Sequence, residues 1–234
     1  MIYRHHHQKL TLFYKNNPGG FMSVSLRKGQ GVSLRKNEYD LSSVTIGLGW
    51  DINEEKKGIL GGLFGKKEAE YDLDVVAFLC NAQGKVTDLG NVENGQPTLV
   101  NGDIIFFNSQ RHKSGHIWLT GDNRTGAGDG DDEQIIVKLN SLDPQYEKIV
   151  FIVQIYNGQQ LQQHFGKVQN AFIRAVDAHN IEMARFDLSG GAAFTGQRSM
   201  LFAELVREST GWKLNAVGEP SNSDTFVSHL KSYL

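Results

Sequence analysis

Short runs of β-branched and aromatic residues recur along the chain, separated by clusters of Gly, Asn and Asp. Runs of this kind predict β-strands. The run from Ile149 to Val153 is apolar at every position, so its strand must be covered on most of both faces or lie in a tightly packed sandwich. The predicted strands are 44–46, 73–80, 104–107, 135–139, 149–156, 171–176, 183–188, 201–206 and 212–217.

Helical patterns are sparse in this chain. One is a turn around Ser141 to Glu147, and the other is the C-terminal segment from Ser223 to Leu234, in which Phe226, Leu230 and Leu234 share one face. Because few helices are available as crossovers, a parallel winding of strands and helices is disfavoured. The sequence predicts an all-β fold: a two-sheet antiparallel β-sandwich with one or two short helices, including a C-terminal helix.

Residues 1–21 do not share the strand pattern. They contain three consecutive histidines, His5 to His7, and an apolar patch, Leu10 to Tyr14, that is too short for the core of a signal peptide. We expect residues 1–21 to be an N-terminal extension that is disordered or lies upstream of the native start. One sandwich domain is expected over residues 22–234.

The segment from Asn53 to Tyr71 is expected to be an insertion in this domain. Its centre, Gly58 to Gly65, is apolar and lies between two pairs of lysines. An apolar tip between lysines suits contact with an anionic membrane or a partner protein. A surface loop without a partner is the simpler interpretation.

Charge and cysteine content exclude several classes of protein. The 24 Lys and Arg residues nearly balance 26 Asp and Glu residues, for a formal net charge of −2, so the chain lacks the basic excess of a nucleic-acid binder. Its apolar runs are far shorter than the roughly 20 residues of a transmembrane helix. Cys80 is the single cysteine, which excludes an intramolecular disulfide and gives no sign of an oxidising compartment. We therefore expect a cytoplasmic location.

The segment from Gly121 to Glu133 is rich in acids and glycines. At about 4 Å and an effective dielectric near 20, each pair of like charges costs about 4 kcal/mol, so an ordered loop of this composition needs a cation. Carboxylate and carbonyl oxygens without thiolate or imidazole favour Ca²⁺, with Mg²⁺ second. Its ends are spaced as in an EF-hand loop, but its interior and the strand that follows do not match that motif. The acids are Asp122, Asp129, Asp131, Asp132 and Glu133, against one base, Arg124.

A second acidic element, Asp72-Leu73-Asp74, lies at the head of a predicted strand. Strand alternation places Asp72 and Asp74 on one face and Leu73 on the other, so we expect both carboxylates at the rim of the sheet. If this rim meets the acidic loop, the two elements together supply ligands for one or two Ca²⁺ ions. The alternative is that both elements are solvated turns.

Several motifs resemble the tellurium-resistance TerD family, and the downstream ones are most similar to its TerZ-like branch. The resemblance covers residues 22 to 234. It implies a two-sheet β-sandwich that binds Ca²⁺ through its acidic motifs and acts in bacterial resistance to tellurite and other stresses. The motifs are 26–34 (LRKGQGVSL), 47–51 (GLGWD), 72–74 (DLD), 120–126 (TGDNRTG), 130–133 (GDDE), 170–172 (NAF) and 212–220 (WKLNAVGEP).

The acidic motifs and this resemblance together give a set of candidate ligands to Ca²⁺. Calcium is the expected cofactor, and other tellurium-resistance proteins or a membrane-associated complex are the expected partners. The expected location is then the cytoplasm, with peripheral attachment to the inner membrane as a variant. The candidate metal ligands are Asp72, Asp74, Asp122, Asn123, Asp129, Asp131, Asp132 and Glu133.

We expect no enzyme, because the sequence has no Gly-x-Ser-x-Gly elbow and no His-Glu-x-x-His helix. His112, His116, His164 and His179 are scattered along the chain. A Ca²⁺-dependent sandwich that binds carbohydrate or another ligand, and a metal-assisted hydrolase, stay open as alternatives. Tryptophans suited to stacking on a sugar are present, but in a sandwich they lie more often in the core. They are Trp50, Trp118 and Trp212.

Overall fold

The computed structural model describes residues 14–16, 22–52, 71–120, 130–188 and 192–234. The strands in these ranges follow one another with few helical elements between them. In chain order they are β1 (Tyr14–Asn16), β2 (Met22–Leu26), β3 (Gly31–Arg35), β4 (Val44–Ile52), β5 (Leu73–Cys80), β6 (Val92–Glu93), β7 (Gln96–Pro97), β8 (Ile104–Ile105), β9 (Ile117–Leu119), β10 (Glu133–Val137), β11 (Lys148–Ile155), β12 (Val168–Val176), β13 (Glu182–Leu188), β14 (Ser199–Glu208) and β15 (Gly211–Ser221).

Two large sheets contain most of these strands. Sheet A has the order β1-β2-β13-β12-β4-β10-β9, and sheet B has the order β3-β15-β14-β11-β5-β8. Strands β6 and β7 form a separate two-stranded sheet. Neighbouring strands are antiparallel, except that β13 pairs with β2 in parallel. The prediction of a two-sheet sandwich is confirmed.

The main core lies between the two sheets. Alternate residues of β5 point into it, namely Leu73, Val75, Ala77 and Leu79. Full burial of a large apolar side chain stabilises a fold by about 1.5–3 kcal/mol. This core therefore holds the two sheets face to face.

A second core covers the outer face of sheet B. Val76 and Phe78 enter it from β5, and Val150 and Ile152 enter it from β11. This explains why the run from Ile149 to Val153 is apolar throughout, because its strand has one core on each face. Other members of the second core are Cys80, Val86, Ile104, Phe106, Phe226 and Leu230.

The C-terminal helix closes the second core but is shorter than predicted. Helix α1 spans Val227–Leu230 and is followed by a 3-10 turn, Lys231–Tyr233. Phe226 and Leu230 are buried, whereas Leu234 is 54% exposed. The prediction that Leu234 shares their face is wrong, because the tighter 3-10 turn rotates it off that face.

Other helical turns are short, and no described helix has the length and apolar character needed to cross a membrane. Single 3-10 turns occur at Phe165–Lys167 and Ala192–Phe194. The segment around Ser141 to Glu147 forms turns without a helix.

Part of the predicted extension and nearly all of the predicted insertion are not described. Residues 14–16, within the predicted extension, form β1 and pair with β2. Residues 53–70 of the predicted insertion lie outside the described residues, and Tyr71 at its end is buried.

Phe78→Ala should test the second core. Phe78 is fully buried and its ring lies 6.1 Å from that of Phe226 and 5.7 Å from that of Tyr233. We expect the free energy of unfolding in urea to fall by about 3–5 kcal/mol, because a cavity replaces the ring. Val92→Ala, at an exposed position, should change it by less than about 0.5 kcal/mol. If Phe78→Ala lowered the free energy of unfolding as little as Val92→Ala does, the second core would not be tightly packed.

Acidification should loosen the C-terminal segment through His229. Burial lowers the pKa of its imidazole, with Glu219 opposing this shift. The folded pKa therefore lies below the unfolded value of about 6.5, so its contribution to stability is present above pH 6.5 and is lost as the pH falls through the folded pKa. Urea unfolding of the wild type at pH 7 and pH 5 should show lower stability at pH 5, with a smaller difference in His229→Gln. An identical difference in both proteins would rule out this role of His229.

Candidate metal centre

The end of the acidic loop reaches from sheet A to sheet B. Glu133 begins β10 and lies opposite Leu48 of β4. Its side chain points between the sheets, on the same side as the buried Ile135, and its Oε2 accepts the backbone N–H of Val75 at 2.5 Å. A direct contact thus joins two positions that are 58 apart in the sequence.

The open edge of β5 explains why Glu133 binds there. Strand β8 covers only Ala77 and Phe78 of β5, and the N–H of Leu79 on that edge is accepted by Asp103. Because alternate N–H groups of a strand point to the same edge, the N–H of Val75 lies beyond the end of β8. A buried N–H without an acceptor costs about 1–3 kcal/mol, and Glu133 supplies that acceptor.

Asp132 binds the end of the acidic loop to β4 by two hydrogen bonds. Its backbone N–H donates to the carbonyl of Leu48 at 2.7 Å, and its Oδ2 accepts the N–H of Trp50 at 2.9 Å. Asp132 is 6% exposed and Glu133 is 3% exposed. Burial of two adjacent carboxylates is costly unless hydrogen bonds or a cation offset it.

Asp131 forms an ion pair with Arg174. Its Oδ1 accepts Nε of Arg174 at 2.7 Å and its Oδ2 accepts Nη2 of Arg174 at 3.2 Å, a bidentate ion pair. This carboxylate lies over Gly47, on the outer face of sheet A, where a Cβ on Gly47 would come within 2.1 Å of Asp131 Oδ2. Arg174 also contacts Glu182 at 3.3 Å. Asp131 and Glu133 therefore lie on opposite faces of sheet A.

Two glycines of β4 give the loop room to approach. Gly47 lies under Asp131, and a Cβ on Gly49 would lie 2.7 Å from the carbonyl oxygen of Gly130 and 2.4 Å from the ring of Phe172. Any larger residue at Gly49 would displace the ring of Phe172 and crowd the backbone of Gly130. The motif Gly47-Leu48-Gly49 thus has a steric role that its sequence alone does not reveal.

The predicted faces of β5 are confirmed, since Leu73 and Val75 enter the main core and Val76 enters the second core. Asp74 lies within β5 on the second-core face. It is 7% exposed, so it is buried and does not lie at an open rim. Asp72 precedes the strand, and its carbonyl accepts the N–H of Tyr156 at 2.8 Å.

Gln154 is the partner of Asp74 that sequence reasoning missed. Its Nε2 donates to Asp74 Oδ2 at 3.0 Å, and its Oε1 accepts the N–H of Phe226 at 2.7 Å. A polar residue in the otherwise apolar run of β11 is the one feature of the sequence that points to it.

Four of the eight predicted ligands lie on two segments that meet at one end of the sandwich, where Glu133 accepts the N–H of Val75. Asp72 and Asp74 lie at the start of β5, and Asp132 and Glu133 reach β4 and β5 from the acidic loop. Each of the four has interaction partners. Asp131 pairs with Arg174 instead. The remaining three predicted ligands, Asp122, Asn123 and Asp129, lie outside the described residues.

The candidate ligands at this end offer only oxygen atoms to a metal ion. All four of the candidate ligands at this end are carboxylates, and carboxylates bind Ca²⁺ in preference to a transition metal. Over residues 14–16, 22–52, 71–120, 130–188 and 192–234, no group of three or more His, Cys, Asp and Glu side chains is placed to hold a metal ion. A complete site would need donors beyond these ranges, and three of the predicted ligands lie there.

A second polar cluster contains His112, which is buried beside Asp103. Asp103 Oδ1 accepts the hydroxyl of Tyr146 at 2.7 Å and lies 3.3 Å from His112 Nε2. Burial alone would raise the pKa of Asp103, but the hydrogen bonds from His112 and Tyr146 outweigh it and hold that pKa below its usual range. These bonds join the loop after β8 to the turn before β11.

Ser114 Oγ lies 2.7 Å from His112 Nδ1, an arrangement that superficially resembles a nucleophile and its base. The backbone N–H of Ser114 also donates to His112 Nδ1, at 3.2 Å. If Nδ1 took the hydroxyl proton, its new N–H would face the backbone N–H of Ser114. This nitrogen is therefore poorly suited to act as a base for Ser114. The cluster is better suited to hold its loops than to perform catalysis.

Cys80 and two of the three tryptophans lie in the cores. Burial raises the pKa of the Cys80 thiol to about 12, which makes it a poor nucleophile. Trp50 and Trp212 are buried, which agrees with a core role. Trp118 is partly exposed, and Arg111 lies over its ring at 4.9 Å from the centroid.

Comparisons with known proteins identify the family. A profile of the TerD domain matches residues 22–233. A tellurium resistance protein TerX from Serratia marcescens is 86% identical over 213 residues, covering 91% of this chain and 100% of that protein. A tellurium resistance protein TerZ from the same organism is 37% identical over 202 residues, covering 86% of this chain and 92% of that protein.

A solved structure shares the fold. It is the crystal structure of a homologue of telluride resistance protein (TerD) from Streptomyces coelicolor A3(2), with a TM-score of 0.53 and 21% sequence identity, covering 80% of this chain and 94% of that chain. The sandwich, the sequence identities and the domain match agree with one another. The chain therefore belongs to the TerD family of tellurium-resistance proteins.

Proposed function

We propose that the protein is a non-enzymatic stress protein that binds Ca²⁺ and contributes to tellurite resistance. The observation that supports this most is the hydrogen bond between Glu133 and Val75. It brings the end of the acidic loop to the head of β5, where Asp72 and Asp74 lie. Two acidic motifs that are far apart in the sequence therefore meet at one end of the sandwich.

The proposed ligands follow from the placement of these carboxylates. Asp74, Asp132 and Glu133 are almost fully buried, and a divalent cation would offset the cost of burying their charges. Asp131 is assigned to its ion pair with Arg174 and not to the metal. The ligand set proposed here is Asp72, Asp74, Asp122, Asn123, Asp129, Asp132 and Glu133, for one or two ions.

The cellular role is proposed from the relatives. Relatives named for tellurium resistance include TerX, and a relative at 36% identity is the stress response protein SCP2 of Bacillus subtilis. We place the protein in the cytoplasm, in contact with other tellurium-resistance proteins or with a complex at the membrane. Calcium is proposed to hold the acidic end in the shape that such a partner contacts.

Calorimetric titration with Ca²⁺ tests this function. The wild type should bind Ca²⁺, and Glu133→Gln should bind on the order of 10- to 100-fold more weakly. The variant loses the charged carboxylate oxygens that would bind the ion, but its amide oxygen can still accept the Val75 N–H. Ca²⁺ at 100 times its Kd should stabilise the fold by about 2.7 kcal/mol, so EGTA should lower the Tm.

Glu204→Gln is the matched control for that titration. Glu204 pairs with Lys148, which lies opposite Cys80 at the far end of β5. Its affinity for Ca²⁺ should equal that of the wild type. A wild type that shows neither binding heat nor a change of Tm with Ca²⁺ would refute the proposal.

Gly49→Ala should weaken Ca²⁺ binding although residue 49 offers no ligand. The added Cβ would meet both the ring of Phe172 and the carbonyl oxygen of Gly130, and we expect this crowding to move the end of the acidic loop. Thr45→Ala, on the same face of β4 but farther from the loop, should leave the affinity unchanged. Equal affinities of both variants, measured by the same titration, would show that the position of the loop does not control binding.

A further inference from the structure

Gln154 connects the candidate metal centre to the C-terminal helix. It lies in β11 directly opposite Asp74 of β5 and is 4% exposed. One end of its amide donates to Asp74, at 3.0 Å, and the other end accepts the N–H of Phe226, at 2.7 Å. Phe226 immediately precedes helix α1.

The two partners fix the orientation of the amide. Asp74 is an acceptor and the Phe226 N–H is a donor, so only one orientation of the Gln154 amide satisfies both. A flipped amide would place its NH₂ against the N–H of Phe226 and its oxygen against the carboxylate. The position of Asp74 and the position of Phe226 are therefore linked through one planar group.

A second hydrogen bond holds the same helix beside Gln154. Ser199 of β14 lies opposite Gln154 and is fully buried, and its Oγ is 2.8 Å from Nε2 of His229. Leu230 and Phe226 pack into the second core on the same side. The helix is thus held by polar contacts at two adjacent positions of sheet B and by apolar contacts around them.

We propose that Gln154 is a positioning residue that orients Asp74 for the cation and couples Ca²⁺ binding to docking of the C-terminal helix. This inference rests on the proposed Ca²⁺ function. When the helix is docked, the Phe226 N–H holds Gln154 in the orientation that fixes Asp74. When Ca²⁺ fixes Asp74, the same amide holds the start of the helix. Such coupling is reciprocal, so each event favours the other to the same degree.

Four proteins test the coupling: the wild type, Gln154→Met, Leu230→Ala and the double variant. Gln154→Met removes both hydrogen bonds, and Leu230→Ala weakens docking of the helix without touching the amide. Calorimetric Kd values for Ca²⁺ should rise about tenfold in Gln154→Met. They should rise about fivefold in Leu230→Ala. The double variant should bind no more weakly than Gln154→Met, since the link is already broken.

Hydrogen exchange gives a readout that does not depend on affinity. Ca²⁺ should slow exchange of the backbone amides at residues 226–230 in the wild type and leave them unchanged in Gln154→Met. This measurement on the wild type needs no variant, so it tests the proposal even if Gln154→Met does not fold. Val227→Ala, an exposed position on the same helix, is the control and should match the wild type in both measurements.

The outcomes separate this inference from the function on which it rests. A wild type that binds no Ca²⁺ refutes the Ca²⁺ function and the coupling together. Ca²⁺ binding with unchanged exchange at residues 226–230 leaves the function intact and overturns the coupling. Independent, additive losses of affinity in the double variant overturn the role of Gln154 as the link.

Discussion

The candidate site depends on one hydrogen bond across the sandwich, from the N–H of Val75 to the carboxylate of Glu133. Strand β8 stops short of Val75, so an edge of sheet B is left without a strand partner there. A carboxylate from sheet A takes the place of that partner. The contact satisfies a buried donor and, at the same time, brings the end of the acidic loop to the second acidic motif.

Strand β5 also links the candidate site to the C-terminal segment. Both faces of β5 are buried, one in the main core and one in the second core, so Asp74 has no solvent to face. Its charge must be offset locally, and Gln154 supplies one donor. Because the C-terminal segment closes the second core, the surroundings of this carboxylate depend on Phe226, near the other end of the described chain.

Much of the fold could be predicted from local patterns. The alternation around Asp72-Leu73-Asp74 gave the correct faces, and the doubly apolar β11 indicated cover on both sides. The extent of the C-terminal helix was not predictable, because the apolar spacing of Phe226, Leu230 and Leu234 does not show where α1 gives way to a 3-10 turn.

The site was harder to predict because its contacts link residues far apart in sequence. Arg174 lies 43 residues from Asp131, and composition cannot show that one acid of the loop is neutralised by a side chain on β12. Gln154 lies 80 residues from Asp74. The steric role of Gly49 likewise appears only once the backbone of Gly130 is seen against it. Residue types led to the prediction of a Ca²⁺ site, but only the tertiary contacts show that Asp131 is paired with Arg174.

The pairing of Asp131 with Arg174 also bears on how many ions the site would hold. With Asp131 neutralised, the proposed ligand set contains six carboxylates and the amide of Asn123. A single divalent ion would offset only part of that charge, and two ions would leave a smaller excess. Arg174 reduces the charge that the ions must balance while anchoring the loop to the outer face of sheet A. On charge alone, two ions therefore fit the proposed set better than one.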